Sequence, residues 1–171
     1  MPAHARANAG AQPGTGGVTV RAAVTGDLPA LVELENSSFV GDRMSRRSLA
    51  RFLSRPTARL LVAFIGDRLA GYLLVLLHTR HRAARIYSLA VTDAFAGRGI
   101  GRALVVAGCE AARAAGRDLV ALDVRIDNAR AIDLYRRCGF AEIGRVEDYY
   151  EDGAAALKMT RTLEPAGGAL P

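Results

Sequence analysis

Cysteine is scarce in this chain: Cys109 and Cys138 stand far apart, with no CxxC pair. Two such residues make neither a disulfide framework nor a set of metal ligands. Histidine is scarce too, and His4, His78 and His81 have no Cys or carboxylate at ligand spacing, so no metal site is expected. No apolar stretch approaches the ~20 residues that a membrane-spanning helix needs. Leu60 to Ile65 and Val120 to Val124 are strand-sized. The first seventeen residues lack the apolar central run of a secretory signal. These absences lead us to expect a reduced, cytoplasmic protein with no membrane partner.

What is present suits one globular domain. Half of the 171 residues are hydrophobic and 23% are charged, which places the chain with folded rather than disordered proteins. A domain of this length buries roughly 70% of its unfolded surface. Residues 1–17 read as a flexible arm, 18–163 as the domain and 164–171 as a flexible tail. The formal charge of +6 suits an anionic partner such as a phosphorylated cofactor, though charge speaks to association and not to fold. The basic run from His78 to Arg85 has no interleaved aromatics; it reads as a solvated loop, and no specific nucleic-acid partner is expected.

Hydrophobic periodicity supplies the elements. Val18 to Val24 alternates and reads as an edge strand before Thr25-Gly26-Asp27. Asp27 is a candidate cap for a helix through Ser37, with Leu28, Leu31, Val32, Leu34 and Glu35 at helical spacing. A second short helix spans Ser45 to Ser54 and ends before Pro56. Arg59 to Ile65, Ala70 to Leu77 and Arg85 to Val91 read as strands, the first two joined by the tight turn Gly66-Asp67. A helix to about Ala115 follows, with Gly116 as terminator. Leu119 to Val124, nearly all apolar, reads as a strand buried on both faces. Asn128 caps a helix to Cys138, and Ala141 to Tyr149 and Ala154 to Thr162 form a last hairpin. This order predicts an α+β domain around one mixed sheet.

Between the third of these strands and the long helix lies Gly97-Arg98-Gly99-Ile100-Gly101. Glycine lets backbone amides approach a phosphate, and a helix start adds unpaired N–H donors and about half a positive charge. Arg98 and Arg102 add mobile charge at the rim. A Walker loop requires Gly-Lys-Ser/Thr, and Gly101-Arg102-Ala103 fails that test. A dinucleotide fingerprint requires GxGxxG, and Gly97-x-Gly99-x-Gly101 has the wrong spacing. A glycine-rich helix start that binds nothing stays open on these residues alone.

The run from Leu89 to Leu104 resembles the acetyl-CoA signature of the GNAT N-acetyltransferase superfamily, Gln/Arg-x-x-Gly-x-Gly/Ala after a strand. Gly99 and Gly101 match its glycines, while Ala96 stands where the family usually has Gln or Arg. A second block, Leu122 to Tyr135 followed by Cys138-Gly139-Phe140, is similar to the branch of ribosomal-protein-alanine N-acetyltransferases and their N-terminal acetyltransferase relatives. The resemblance covers about Val18 to Leu163. It implies an α/β GNAT fold: a mixed, largely antiparallel seven-stranded sheet flanked by about four helices. It further implies an acyltransferase that moves acetyl from acetyl-CoA directly to an amine, without a metal.

The resemblance also assigns residues. Backbone groups of Leu89, Ala90 and Val91 would serve the pantetheine arm and acetyl oxygen. The amides of Gly97, Arg98, Gly99, Ile100, Gly101 and Arg102 would hold the pyrophosphate, and Asn128 would contact the cofactor. Tyr135, two helical turns from Asn128, is the candidate general acid for the departing thiolate. Asp123, the lone acid in an apolar strand, is the candidate base or else the partner of Arg125 or another arginine. Tyr149 and Tyr150 are candidate contacts to a peptide backbone. At pH 7 an α-amine of pKa ~7.8 loses its proton at a cost of about 1 kcal/mol, against about 4.6 for a lysine of pKa ~10.4. That difference favours a protein or peptide N-terminus as acceptor. A small amine is the alternative, and a non-catalytic module binding CoA or nucleic acid is a third.

Overall fold

The computed structural model describes residues 17–165. Most of the expected arm and tail, and His4 with them, lie outside the described residues. Strands β1 (Val18–Ala22), β2 (Ala58–Ile65), β3 (Arg68–Leu77), β4 (Ala83–Val91), β5 (Leu119–Arg125), β6 (Ala141–Val146) and β7 (Ala156–Thr162) form one sheet of order β1-β2-β3-β4-β5-β7-β6. Every neighbouring pair is antiparallel except β4 and β5. Helices α1 (Leu28–Ser38), α2 (Arg46–Ser54), α3 (Ile100–Ala114) and α4 (Ala129–Arg137) complete the fold. Among the described residues no helix is long and apolar enough to cross a membrane.

The period-2 alternation of the central strands divides the core into two layers. Leu61, Ala63, Leu73 and Val75 pack with Ile100, Leu104 and Cys109 of α3, with Ile132 and Tyr135 of α4 and with Cys138 just after it. Leu60, Val62, Tyr72 and Leu74 pack on the opposite face with Leu28, Leu31 and Leu34 of α1 and Leu49 of α2. Absent side chains draw α3 onto the sheet. A Cβ at Gly71 would crowd Leu104 (3.1 Å) and Ile100 (3.2 Å) of α3, and one at Gly108 would overlap Leu73.

Four expectations need correction. Asp27 does not cap α1 through its side chain. Its carboxylate turns back to accept from Arg21 (2.7 Å) and from the Val24 amide (2.8 Å), because a short 3-10 turn at Thr25–Asp27 precedes the helix. Strand β5 is not buried on both faces: Val120, Leu122 and Val124 are buried while Leu119, Ala121, Asp123 and Arg125 are half-buried. Strand β4 starts at Ala83, two residues before the expected Arg85, and shortens the basic loop accordingly. The last hairpin has shorter strands than the pattern suggested, so Tyr149 and Tyr150 lie in its connection.

Candidate active site

The parallel junction between β4 and β5 is short. Only Ala83, Ala84 and Arg85 find partners, opposite Leu119, Val120 and Ala121. Beyond them β4 runs six residues further, to Val91, held by β3 alone. Among the described residues, its backbone groups on the other side, along Ile86 to Val91, meet no strand. A register shift at Leu74/Val75 leaves Tyr87 as an extra residue of β4 and adds local bend where the two strands part. Leu89, Ala90 and Val91 therefore line a gap in the sheet, and Asp123 and Arg125 stand on its far side.

The gap opens toward the start of α3. Gly97 and Gly99 have φ of +77° and +75°, a conformation that disfavours any side chain, and a Cβ on either would meet nothing within 4 Å. Among the described residues no side chain caps α3, and Ala103 is the first residue of the helix whose amide finds an acceptor behind it, at Gly99 (3.0 Å). The amides of Ile100, Gly101 and Arg102 are thus without helical partners at the positive end of a fifteen-residue helix. By contrast, α2 and α4 are capped by Ser45 and Asn128. Arg98 and Arg102 are exposed beside the turn. Gly101 is glycine for a different reason: a Cβ there would lie 2.9 Å from Leu134 of α4. An open, uncapped, doubly left-handed turn with two arginines fits a diphosphate.

Helix α4 carries the other expected residues on this side. The Asn128 side chain accepts from the Ala131 amide (3.1 Å), which leaves its own NH2 free to donate. Tyr135 is 6% exposed and packs edge-on against Phe140 (5.7 Å between centroids). Among the described residues its hydroxyl has no hydrogen-bond partner, and burial raises its pKa, so it stays a phenol.

Asp123 sits in a cage of donors. Its side chain is 6% exposed. Oδ2 accepts from Arg85 and from the Tyr149 hydroxyl (2.8 Å), and Oδ1 accepts from Lys158 (3.2 Å), which faces it directly in the β5–β7 ladder. Burial alone would raise this carboxyl, but Arg85, Tyr149 and Lys158 together bring it below the usual aspartate range. The bond to Asp123 in turn raises the Tyr149 phenol. Arg125 points elsewhere: it bridges Asp127 (3.1 Å) and Asp152 (2.8 Å) and lies over the Tyr150 ring (4.8 Å), fastening the hairpin connection. The partner of Asp123 is thus Arg85 with Lys158, not Arg125.

Two features escaped the sequence reading. Lys158 is the chain's only lysine, and its pairing becomes visible only once the β5–β7 register is known. Glu35, read merely as part of the helical pattern of α1, is 1% exposed. Its carboxylate accepts from Tyr72 and from the Met44 amide (2.7 Å), and Ser88 of β4 meets the Tyr72 hydroxyl at 2.8 Å. This seam ties the α1–α2 connection to β4 just before Leu89. A hollow of about 640 Å3 elsewhere, between α4 and β6, is lined by residues such as Ile132, Arg136 and Gly144 and by none of the glycine turn.

A sequence model described as the Acetyltransferase (GNAT) family matches residues 28–140. The N-alpha-acetyltransferase RimI of Mycobacterium tuberculosis is 35% identical over 148 residues, covering 84% of this chain and 92% of that protein. A mycothiol acetyltransferase of Clavibacter michiganensis is also 35% identical, over 82% of this chain but only 48% of its own length. Among solved structures, the ribosomal-protein-S18-alanine N-acetyltransferase of Escherichia coli superimposes with a TM-score of 0.76 at 25% identity, covering 90% of this chain and 99% of that one.

Proposed function

We propose, from the premise that this chain belongs to the GNAT acetyltransferase family, that its acceptor is the N-terminal α-amine of a peptide or protein. The enzyme is an N-acetyltransferase, and the family's acetyl donor is acetyl-CoA. The residues present fit that donor: the open amides of Gly97 to Arg102 suit the diphosphate, and the unpaired edge of Leu89, Ala90 and Val91 suits the pantetheine and acetyl oxygen.

In this reading the amine nitrogen attacks the thioester carbonyl as the carbon–sulfur bond breaks. Tyr135 gives its proton to the sulfur. Its burial raises the phenol pKa and keeps the proton on the oxygen until the thiolate forms. Asp123, with Arg85 and Lys158, acts as an anchor that orients Tyr149. Tyr149 and Tyr150 then offer the wall against which an acceptor backbone lies.

The observation that carries the acceptor assignment is Tyr149. It is 43% exposed and its hydroxyl is fixed 2.8 Å from Asp123, at the rim of the gap between β4 and β5. An N-alpha-acetyltransferase among the most similar relatives supports it. The mycothiol acetyltransferase keeps a small amine as the second reading. Incubation with acetyl-CoA and a peptide array beside a small-amine panel, followed by mass spectrometry, separates the two. One added acetyl group at peptide N-termini is expected; turnover confined to the small amines would overturn the acceptor assignment.

A further inference from the structure

The acceptor side of the gap has a carboxylate where a base would be convenient, but its geometry leaves it little freedom to take a proton. Both Asp123 oxygens are engaged, Oδ1 by Lys158 and Oδ2 by Arg85 and Tyr149. Protonating it would break a charge-assisted contact to Arg85 and leave that guanidinium half-buried without its partner. The charged groups around it are Arg85 from β4, Lys158 from β7 and Arg125 two residues along β5; Tyr149 and Tyr150 come from the hairpin connection.

Other carboxylates stand engaged or turned to solvent. Asp127 and Asp152 are bound by Arg125 and Glu147 by Arg145, Asp148 and Glu151 are exposed in the hairpin connection, and Glu35 is sealed beneath α1 by Tyr72 and Met44. His78 and His81 lie between β3 and β4, at the end of β4 opposite Val91. Arg85 and Lys158 are 33% and 41% exposed around one carboxylate, so the face does not attract a second cation.

We propose that Asp123 is a positioning residue and that the incoming amine sheds its proton to solvent, so that the enzyme selects acceptors of low basicity. This rests on the acetyl-transfer reading above. The proton balance closes without a side-chain base. An ammonium first loses H+ to water, and the neutral amine then forms the C–N bond as the C–S bond breaks. The sulfur takes the Tyr135 proton, and the nitrogen releases its surplus proton to water, from which Tyr135 is reprotonated. At pH 7 the unprotonated fraction of an α-amine exceeds that of a lysine ε-amine by about 340-fold, given pKa values near 7.8 and 10.4. That ratio is the selectivity expected before any contact with the rest of the substrate.

The test uses the full-length protein, acetyl-CoA and peptides of one sequence beginning with Ala or with β-alanine, together with an N-terminally blocked peptide carrying one lysine. Each is followed as kcat/KM against pH. The expected result is an inflection that moves with the amine of each acceptor, a lysine rate about 340-fold lower at pH 7, and a gap that narrows at high pH. D123N should lower the rate yet keep each inflection where it was. An inflection fixed at one pH for all acceptors, and lost in D123N, would make Asp123 the base and overturn the proposal. If D123N fails to fold, the acceptor series on the unsubstituted protein decides alone. Acetylation of no amine at any pH is a different failure, since it removes the acetyl-transfer reading itself.

Discussion

Tyr135 holds an unpartnered hydroxyl on a helix face that is otherwise packed against Phe140 and the α3 layer. If it protonates the leaving sulfur, Tyr135→Phe should reduce kcat by roughly 100-fold or more while KM for acetyl-CoA changes little, as steady-state kinetics would read. The Asp123 cage has a consequence for stability. Asp123 and Asp27 both have carboxyl pKa values lowered in the folded state, each by a partner arginine working against burial. A lowered folded value means that the stabilisation is fully present above the unfolded value of about 3.9 and is lost as pH falls through the folded value. Melting temperature should therefore be nearly flat from neutrality to about pH 4 on account of these groups and drop below it. Arg85→Met removes the main donor to Asp123 and should cost about 1–3 kcal/mol near pH 7, measured by urea denaturation. Asp123 shows where sequence reading stops at this scale. A lone acid in an apolar strand announced a partner, but Arg85 lies 38 positions away and Lys158 35, and only strand register brings them together.

The elements themselves were legible because period and punctuation agreed. Asn128 before an amphipathic run and Gly139 after it delimit α4, and the same logic bounded α2 between Ser45 and Pro56. Less legible was which glycine serves which end. Gly99 is in a left-handed conformation facing open space, whereas Gly101 makes room for Leu134, a distinction carried by three-dimensional packing. The two should respond differently to alanine. Gly99→Ala strains the turn by about 1–2 kcal/mol and should weaken acetyl-CoA binding by calorimetry. Gly101→Ala crowds α3 against α4, with an expected loss of about 1–3 kcal/mol in stability. The Glu35–Tyr72–Ser88 seam makes a related case between elements. Tyr72→Phe removes one donor from a carboxylate that is 1% exposed, and denaturation should register about 1–3 kcal/mol. The hairpin strands are shorter than expected, and Asp152 of their connection is tied to Arg125 rather than taking part in the ladder.

At the scale of the molecule, the formal charge of +6 and the exposed arginines beside the glycine turn favour encounter with a polyanionic donor. Raising ionic strength should therefore lower kcat/KM for acetyl-CoA while kcat stays nearly constant, since screening acts on association. The sheet order was not readable from periodicity alone: β7 inserts between β5 and β6, and β4 meets β5 for only three residue pairs. That brief junction divides the ladder into β1–β4 and β5–β7, each complete in itself, with Gly116 just before the boundary. A backbone cut between Gly116 and Leu119 would sever no strand. The fold is thereby suited to expression as two complementing pieces, and regained turnover would report on whatever fused partners bring the halves together.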